Sequence, residues 1–217
     1  MKQLALAVAN YHDIHNQYPP AVTYGADGKT GHSWRILLLP FLDHKPLYDR
    51  YSFDEPWNGP NNAKLATEMP ELFAFAGTYE PDKSTGTNFV AVTGPETVWP
   101  SDGTMGYLQV GDPHSMTIQF AEYNGPPIHW MSPDDLNFET MSFVPGDPAG
   151  IDSQYLQPAV AMVDGSVKRM TDEVTPEQVR AMCTANGNDA GPVDKHVQEM
   201  EDARLRELKA SQKARQM

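Results

Sequence analysis

The sequence is poor in cysteine, in long apolar runs and in basic residues. Cys183 is the one cysteine, so no disulfide can form within the chain. No stretch approaches the about 20 consecutive apolar residues that a membrane-spanning helix needs. The chain has 16 Lys and Arg against 29 Asp and Glu, which gives a formal net charge of −13. Because nucleic-acid binding requires clustered Lys and Arg against the phosphates, we expect no nucleic-acid partner.

Glycine and proline, by contrast, are plentiful. The chain has 16 glycines and 19 prolines, together above the about 12% of an average protein. This composition predicts many turns, long loops and modest regular structure. A chain of 217 residues is long enough to bury a core. We expect one globular domain over residues 1–191, followed by a different segment over residues 192–217.

That C-terminal segment is charged and rich in helix-forming residues, with few apolar side chains to bury. Acidic and basic residues are nearly balanced within it. The pattern predicts a solvated or frayed helical tail. A docking helix is the alternative interpretation.

Near the N-terminus, residues 3–18 carry apolar side chains at helical spacing. The side chains that share one face are Leu4, Ala7, Val8, Tyr11, Ile14 and Tyr18. Leu6 departs from the pattern and falls on the polar side. Pro19 and Pro20 follow, and proline cannot continue a helix. We therefore predict an N-terminal helix that ends at this pair of prolines.

Local signals place the remaining elements. Ser33 is a suitable N-cap for a short helix over residues 34–39, and Thr175 caps another that begins with proline. A further short helix is predicted from Asn61 or Asn62 to Met69. Strand composition marks residues 88–93, 116–122 and 159–163. Asp164-Gly165 after the last of these predicts a hairpin, and the fold class is α+β.

A search for reactive chemistry gives no catalytic residues. No nucleophile–base pair, cofactor loop or set of metal ligands is apparent, so we expect a protein that is not an enzyme. His12 and His15 have a spacing that could hold a metal, but a hydrogen-bonded core histidine is the commoner explanation. Asp147 and Asp152 lie in loops whose oxygens could bind calcium, although such loops more often form turns. Calcium is the one cofactor left open.

Eight motifs occur in the order found in a known family. They are residues 10–13 (NYHD), 18–20 (YPP), 33–42 (SWRILLLPFL), 54–62 (DEPWNGPNN), 87–95 (TNFVAVTGP), 125–130 (GPPIHW), 133–136 (PDDL) and 164–167 (DGSV). Each motif alone is weak, but the ordered set is specific. Over about residues 1–191 the chain resembles the pilin-like family of planctomycete-type bacteria that ends in an H-x9-DG signature. That family is a domain of unknown function with an earlier label of solute-binding proteins.

The resemblance implies the architecture of a type IV pilin or type II secretion pseudopilin, in which a long N-terminal helix packs on an antiparallel sheet. Short helices and long loops complete this expected fold. Family members usually begin with a prepilin cleavage site and a hydrophobic half-helix. In this sequence, Met1 to Leu4 coincide with the point just after that stretch. We expect the chain to start after that half-helix, which would be its connection to the membrane. The implied function is a structural subunit of the cell envelope, with other pilin-like subunits or secretion-system components as partners.

The resemblance also marks positions that we expect to be structural. These are Tyr11, His12, Asp13, Tyr18, Pro19, Pro20, Trp34, Asn88, Gln154, Asp164 and Gly165. Gln154 stands where the signature has its histidine, ten positions before Asp164 with nine residues between them. Because Gln cannot ionise, we expect no protonation-dependent role at this position.

An alternative function is a ligand-binding module for a carbohydrate or another extracellular polymer. Its site would need exposed aromatic side chains in a concave surface. The candidates are Trp57, Trp99, Trp130 and His129. For Trp130 the commoner interpretation is that the ring covers the sheet.

Overall fold

The computed structural model describes residues 1–171 and 173–188, together with residues 206, 207 and 210 of the tail. Over this part of the chain the fold is α+β. The α-helices are α1 (Lys2–His15), α2 (Trp34–Leu38), α3 (Lys45–Tyr48) and α4 (Pro176–Cys183). Short 3-10 helices cover Leu39–Leu42, Asn62–Glu68, Glu71–Phe73 and Tyr107–Gln109. The strands are β1 (Val22–Tyr24), β2 (Gly31–Ser33), β3 (Gly86–Thr87), β4 (Phe89–Val90), β5 (Val92–Thr93), β6 (Ile118–Glu122), β7 (Ile128–His129), β8 (Leu136–Asn137), β9 (Ala159–Met162) and β10 (Val167–Arg169).

Helix α1 has 14 residues and is shorter than the sequence predicts. Asn16 adopts a left-handed conformation with φ 56°, and its N–H donates to the carbonyl of His12. A left-handed cap of this kind ends a helix, so α1 stops before the two prolines. Ile14, predicted on the buried face, is 67% exposed in the last turn. Leu6 lies on the exposed side as predicted.

The main sheet has four strands in the order β10-β9-β6-β4, and all its neighbours are antiparallel. Every residue of β6 and β9 is buried because the sheet is covered on both faces. On one face Phe120 and Ala161 belong to the same hydrophobic cluster as Leu4 and Val8 of α1. On the other face Val160 and its neighbours form a second cluster with α4.

The smaller elements confirm the local signals. The Asp164-Gly165 turn joins β9 to β10, with Gly165 at φ 79° and the Ser166 N–H donating to Asp164 Oδ1 at 2.7 Å. The Ser33 hydroxyl accepts the N–H of Arg35 at the start of α2. Thr175 and Gln178 form a capping box at the start of α4. The remaining strands pair as three two-stranded sheets, β1-β2, β3-β7 and β5-β8.

Two predictions concern regions that the structure covers only in part. Residues 206, 207 and 210 are helical, but the rest of the predicted tail and residues 189–191 of the predicted domain lie outside the described residues. No helix within the described ranges is both long enough and apolar enough to cross a membrane.

Candidate functional site

A groove of about 140 Å³ runs between α1 and the turn that joins β9 to β10. Helix α1 contributes one wall, with Ala5 and Ala9 one helical turn apart. Because both side chains are single methyl groups, they leave open space beside the helix. Val163 lies on the side of the turn. We call this feature the α1 groove.

The α1 groove brings together residues from distant parts of the sequence. Five of the positions marked by the family resemblance line it, namely His12, Asp13, Tyr18, Asp164 and Gly165. The turn is attached to the helix, since Lys2 Nζ donates to the carbonyl of Gly165 at 2.6 Å. The sequence identified these positions as structural, but their meeting in one groove depends on the packing of α1 against the sheet.

His12 forms part of the aromatic end of the groove. Its Nε2 accepts the backbone N–H of Tyr107 at 3.1 Å, and its ring centroid lies 5.2 Å from that of Tyr18. Burial lowers the pKa of His12 below its usual value. A lowered pKa agrees with the hydrogen bond, because only a neutral imidazole has a nitrogen that accepts.

Gln119 lies in the groove and was missed by the sequence reasoning. It belongs to β6, and the residue is only 3% exposed. Its backbone carbonyl accepts the indole N–H of Trp99, while its side chain lines the groove. Buried polar groups are normally paired. The signal in the sequence is a glutamine inside the otherwise apolar run Ile118–Ala121, because a polar side chain in a buried strand needs a polar neighbour or an open space.

Two carboxylates complete the groove. Asp13 is exposed on α1, and Asp164 Oδ1 accepts the N–H of Ser166 within the turn. The groove is thus lined by small apolar side chains, aromatic rings, one amide and two acidic groups. No Ser, Thr, Cys or Lys is among its described lining residues. This arrangement can bind a group by hydrogen bonds and charge.

Two of the four aromatic ligand candidates lie in the core. Trp99 is 1% exposed and Trp130 is fully buried. Trp130 Nε1 donates to the carbonyl of Ala66 at 2.8 Å, and its ring stacks on Phe73. Neither indole presents a face to a ligand. An aromatic ligand surface needs exposed rings, and the structure places both of these indoles in the core.

The other two candidates are adjacent. The ring centroids of Trp57 and His129 lie 4.7 Å apart, and both residues are half-buried. His129 Nδ1 accepts the N–H of Met131 at 3.2 Å, and burial lowers the pKa of His129. A ligand role for this pair stays a prediction.

The two calcium candidates each serve their own loop. Asp147 Oδ1 accepts the N–H of Ala149, and hydrogen bonds from Ser142 and Ala149 lower the pKa of Asp147. Asp152 is buried and its Oδ1 accepts the N–H of Ser153. Within the ranges that the structure covers, no group of three or more His, Cys, Asp or Glu could hold a metal ion. The calcium prediction is untested.

The remaining marked positions lie away from the groove. Tyr11 stacks on His15 with ring centroids 4.1 Å apart. Trp34 Nε1 donates to Asp135, and Asn88 bonds to the backbone of Phe75 and Tyr123. Pro19 is buried and Pro20 half-buried, directly after Tyr18, while Gln154 is exposed in the loop before β9.

Comparisons with known proteins give one family. A model described as "Protein of unknown function (DUF1559)" matches residues 1–139, which is more than half of the chain. Comparison with curated proteins and with solved structures gives no significant match. The matched segment contains α1 and most of the motifs that carry the resemblance. The chain therefore belongs to the DUF1559 family.

Proposed function

We propose that this chain is a structural, non-catalytic subunit of a pilus- or pseudopilus-like assembly of the cell envelope. The support is the ordered set of pilin-like motifs together with the character of α1. The partners in this proposal are other pilin-like subunits or components of a type II secretion system. The H-x9-DG signature and the pilin-like architecture are part of the same proposal.

The observation that carries the proposal is that two large apolar side chains of α1 stay exposed although the helix also has a buried apolar face. One face is buried in the core through Leu4, Val8 and Tyr11. Leu6 and Ile14, by contrast, are 60% and 67% exposed on the same helix. Single exposed apolar residues are common on proteins, but Leu6 and Ile14 are both large and both on the N-terminal helix, which supports a contact with a second subunit there.

A photo-crosslinking experiment in the source bacterium tests the proposal. A photoreactive phenylalanine analogue replaces Leu6 or Ile14, and in a matched control it replaces Tyr24, which is 56% exposed outside α1. We expect adducts from positions 6 and 14 whose second component, identified by mass spectrometry, is this chain or another pilin-like subunit. Adducts of that kind from position 24 alone, or from none of the three, would contradict the proposal.

The second candidate is a binding module for an extracellular carbohydrate, and it rests on the Trp57–His129 pair. Half-buried aromatic rings at a surface can stack against a sugar. A titration of the chain with glycans, followed by calorimetry, tests this function. A Trp57→Ala variant should abolish any heat signal that the wild-type chain gives. An unchanged signal in that variant would place the binding elsewhere.

A further inference from the structure

We propose that the α1 groove binds an arginine side chain of a partner peptide. This inference does not depend on whether the chain assembles into a filament, because it concerns the chemistry of one groove. It assigns a ligand class to a feature that neither the family nor its motifs explain.

The size of the groove limits the occupant. Its volume of about 140 Å³ is close to the about 150 Å³ of an apolar cavity that holds one benzene molecule. Pockets for drug-sized ligands occupy about 300–1,000 Å³. The α1 groove therefore suits a single amino-acid side chain better than a nucleotide or an oligosaccharide. Pockets of this scale anchor individual side chains at protein interfaces.

The buried amide of Gln119 indicates what the occupant must supply. Its side chain lines the groove, although Gln119 is only 3% exposed. The amide is not one of the side-chain groups sealed in the core without a partner, so it faces the open space of the groove, where a ligand can bond to it. A guanidinium carries five N–H donors and no acceptor, so it can donate to the amide oxygen of Gln119.

The charge of the groove favours a cation. Asp13 and Asp164 both line it, and the ammonium of Lys2 on the same helix already donates to the carbonyl of Gly165. The formal net charge of the whole chain is −13. A phosphate or carboxylate would be repelled by the two acidic groups, whereas a cation is attracted both locally and at long range.

The aromatic rings favour arginine over lysine. Tyr107 and His12 are half-buried and lie side by side in the groove, with ring centroids 6.1 Å apart, so a planar guanidinium can stack on a ring face there. The methyl groups of Ala5 and Ala9 lie along the path of an aliphatic stem. An arginine side chain has both parts, an apolar stem and a flat, charged, donor-rich end.

The first arm of the test uses a pair of matched ligands. N-acetyl-arginine methylamide and its neutral isostere, the citrulline derivative, are each titrated into the 15N-labelled full chain and followed by NMR. We expect saturable shifts of the Gln119 and Gly165 signals with arginine, with a Kd of the order of 1 mM. The citrulline derivative should bind at least about tenfold more weakly, because it lacks the charge. Equal affinity for the two, or no saturation by arginine at about 10 mM, overturns the proposal.

The second arm uses a matched pair of variants. Ala9→Leu fills the groove, while Asn10→Leu adds the same side chain at the next exposed position of α1, outside the groove. We expect binding to be lost in A9L and unchanged in N10L. Thermal melts establish that both variants fold. Should A9L fail to fold, Asp13→Asn at the exposed rim of the groove is tested instead. We expect it to weaken binding of the arginine derivative at least about threefold and to leave the affinity of the citrulline derivative unchanged. If A9L, or Asp13→Asn in its place, binds the arginine derivative as tightly as the wild-type chain does, the proposed site is wrong.

Discussion

Arg35 and Asp135 form an ion pair in which both side chains are fully buried, with Arg35 Nη2 2.6 Å from Asp135 Oδ1. Arg35 also donates to the carbonyl of Phe89, and Asp135 accepts the indole N–H of Trp34 and the N–H of Ala91. The pair thus connects α2 with strand β4 and with the loop before β8. Neither side chain is exposed and both are engaged in these bonds, so the role of the pair is to fix packing.

Removal of one member of this pair should be strongly destabilising. Asp135→Ala leaves the Arg35 guanidinium buried without its counter-charge and leaves two N–H donors unpaired. We expect a decrease of about 3–5 kcal/mol in the free energy of unfolding, measured by urea denaturation with tryptophan fluorescence. Removing either member alone therefore leaves the other charge buried without a partner.

An exposed ion pair supplies the control. Arg50 bonds to Glu68 through two N–H groups, but the side chains are 55% and 39% exposed. Arg50→Met should therefore decrease the free energy of unfolding by less than about 1 kcal/mol. Similar losses in the two variants would show that burial does not control the contribution of Arg35–Asp135.

The elements that the sequence predicted correctly are those with local signals. Ser33, Thr175 and Asp164-Gly165 each specify a cap or a turn through a hydrogen bond that spans two or three residues. Such bonds involve only neighbouring residues, so the sequence signals that favour them are local. The end of α1 was placed too late because the left-handed Asn16 acts before the prolines. Asn tolerates that conformation, but the sequence alone does not show whether it adopts it.

The candidate site was less predictable because it depends on contacts between distant residues. His12 and Gly165 meet only when α1 lies beside the β9-β10 turn, and no local pattern encodes that approach. Trp99 and Trp130 were considered for a surface because tryptophan occurs both in cores and in binding sites. Burial, which decides between these roles, is a property of the whole fold.

Stability should decrease at acid pH through the buried histidines. Burial lowers the pKa of His12 and of His32 from the ordinary value of 6.5. The unfolded chain therefore binds protons at a higher pH than the folded chain does. It follows that the contribution of these histidines to stability is fully present above about pH 6.5 and is lost as pH falls below it, while Asp135, with a pKa raised by burial to about 6, contributes in the opposite sense. Urea denaturation at intervals between pH 7.5 and pH 5 measures this slope.

Substitution of His32 gives a clearer test of this pH dependence than substitution of His12. His32 is fully buried, with Nδ1 2.8 Å from the Tyr51 hydroxyl oxygen. His32→Gln retains a polar group but removes the titration. The variant should lose stability at neutral pH and show a shallower decrease toward pH 5 than the wild-type chain. A slope as steep as that of the wild type would exclude His32 as a source of the pH dependence.

Cys183 should be unreactive in the folded protein. The side chain is buried against the second hydrophobic cluster, and burial raises the pKa of its thiol to about 12. Since the thiolate is the reactive form, labelling by a disulfide reagent at pH 8 should be slow and should become fast in urea. The chain has no second cysteine, so the signal comes from this residue alone. Fast labelling without denaturant would contradict its placement in the core.

The turn at Gly165 allows backbone strain to be tested without a steric clash. Gly165 has φ 79°, and a Cβ at this position would meet no atom within 4 Å. Gly165→Ala should therefore cost about 1–2 kcal/mol of unfolding free energy through the left-handed conformation alone. Gly165→Asn should cost less, because asparagine tolerates this region.

Gly86→Ala is the matched control for the turn. Gly86 has no positive φ, and the nearest atom to an added Cβ lies at 3.9 Å, which is an ordinary contact. This variant should be close to neutral, because alanine meets neither strain nor overlap there. The three substitutions together form an ordered series in which the cost should follow the backbone conformation, with Gly165→Ala above Gly165→Asn and Gly86→Ala lowest. A Gly86→Ala cost equal to that of Gly165→Ala would show that the loss of glycine itself, rather than the left-handed turn beside α1, sets the stability of these variants.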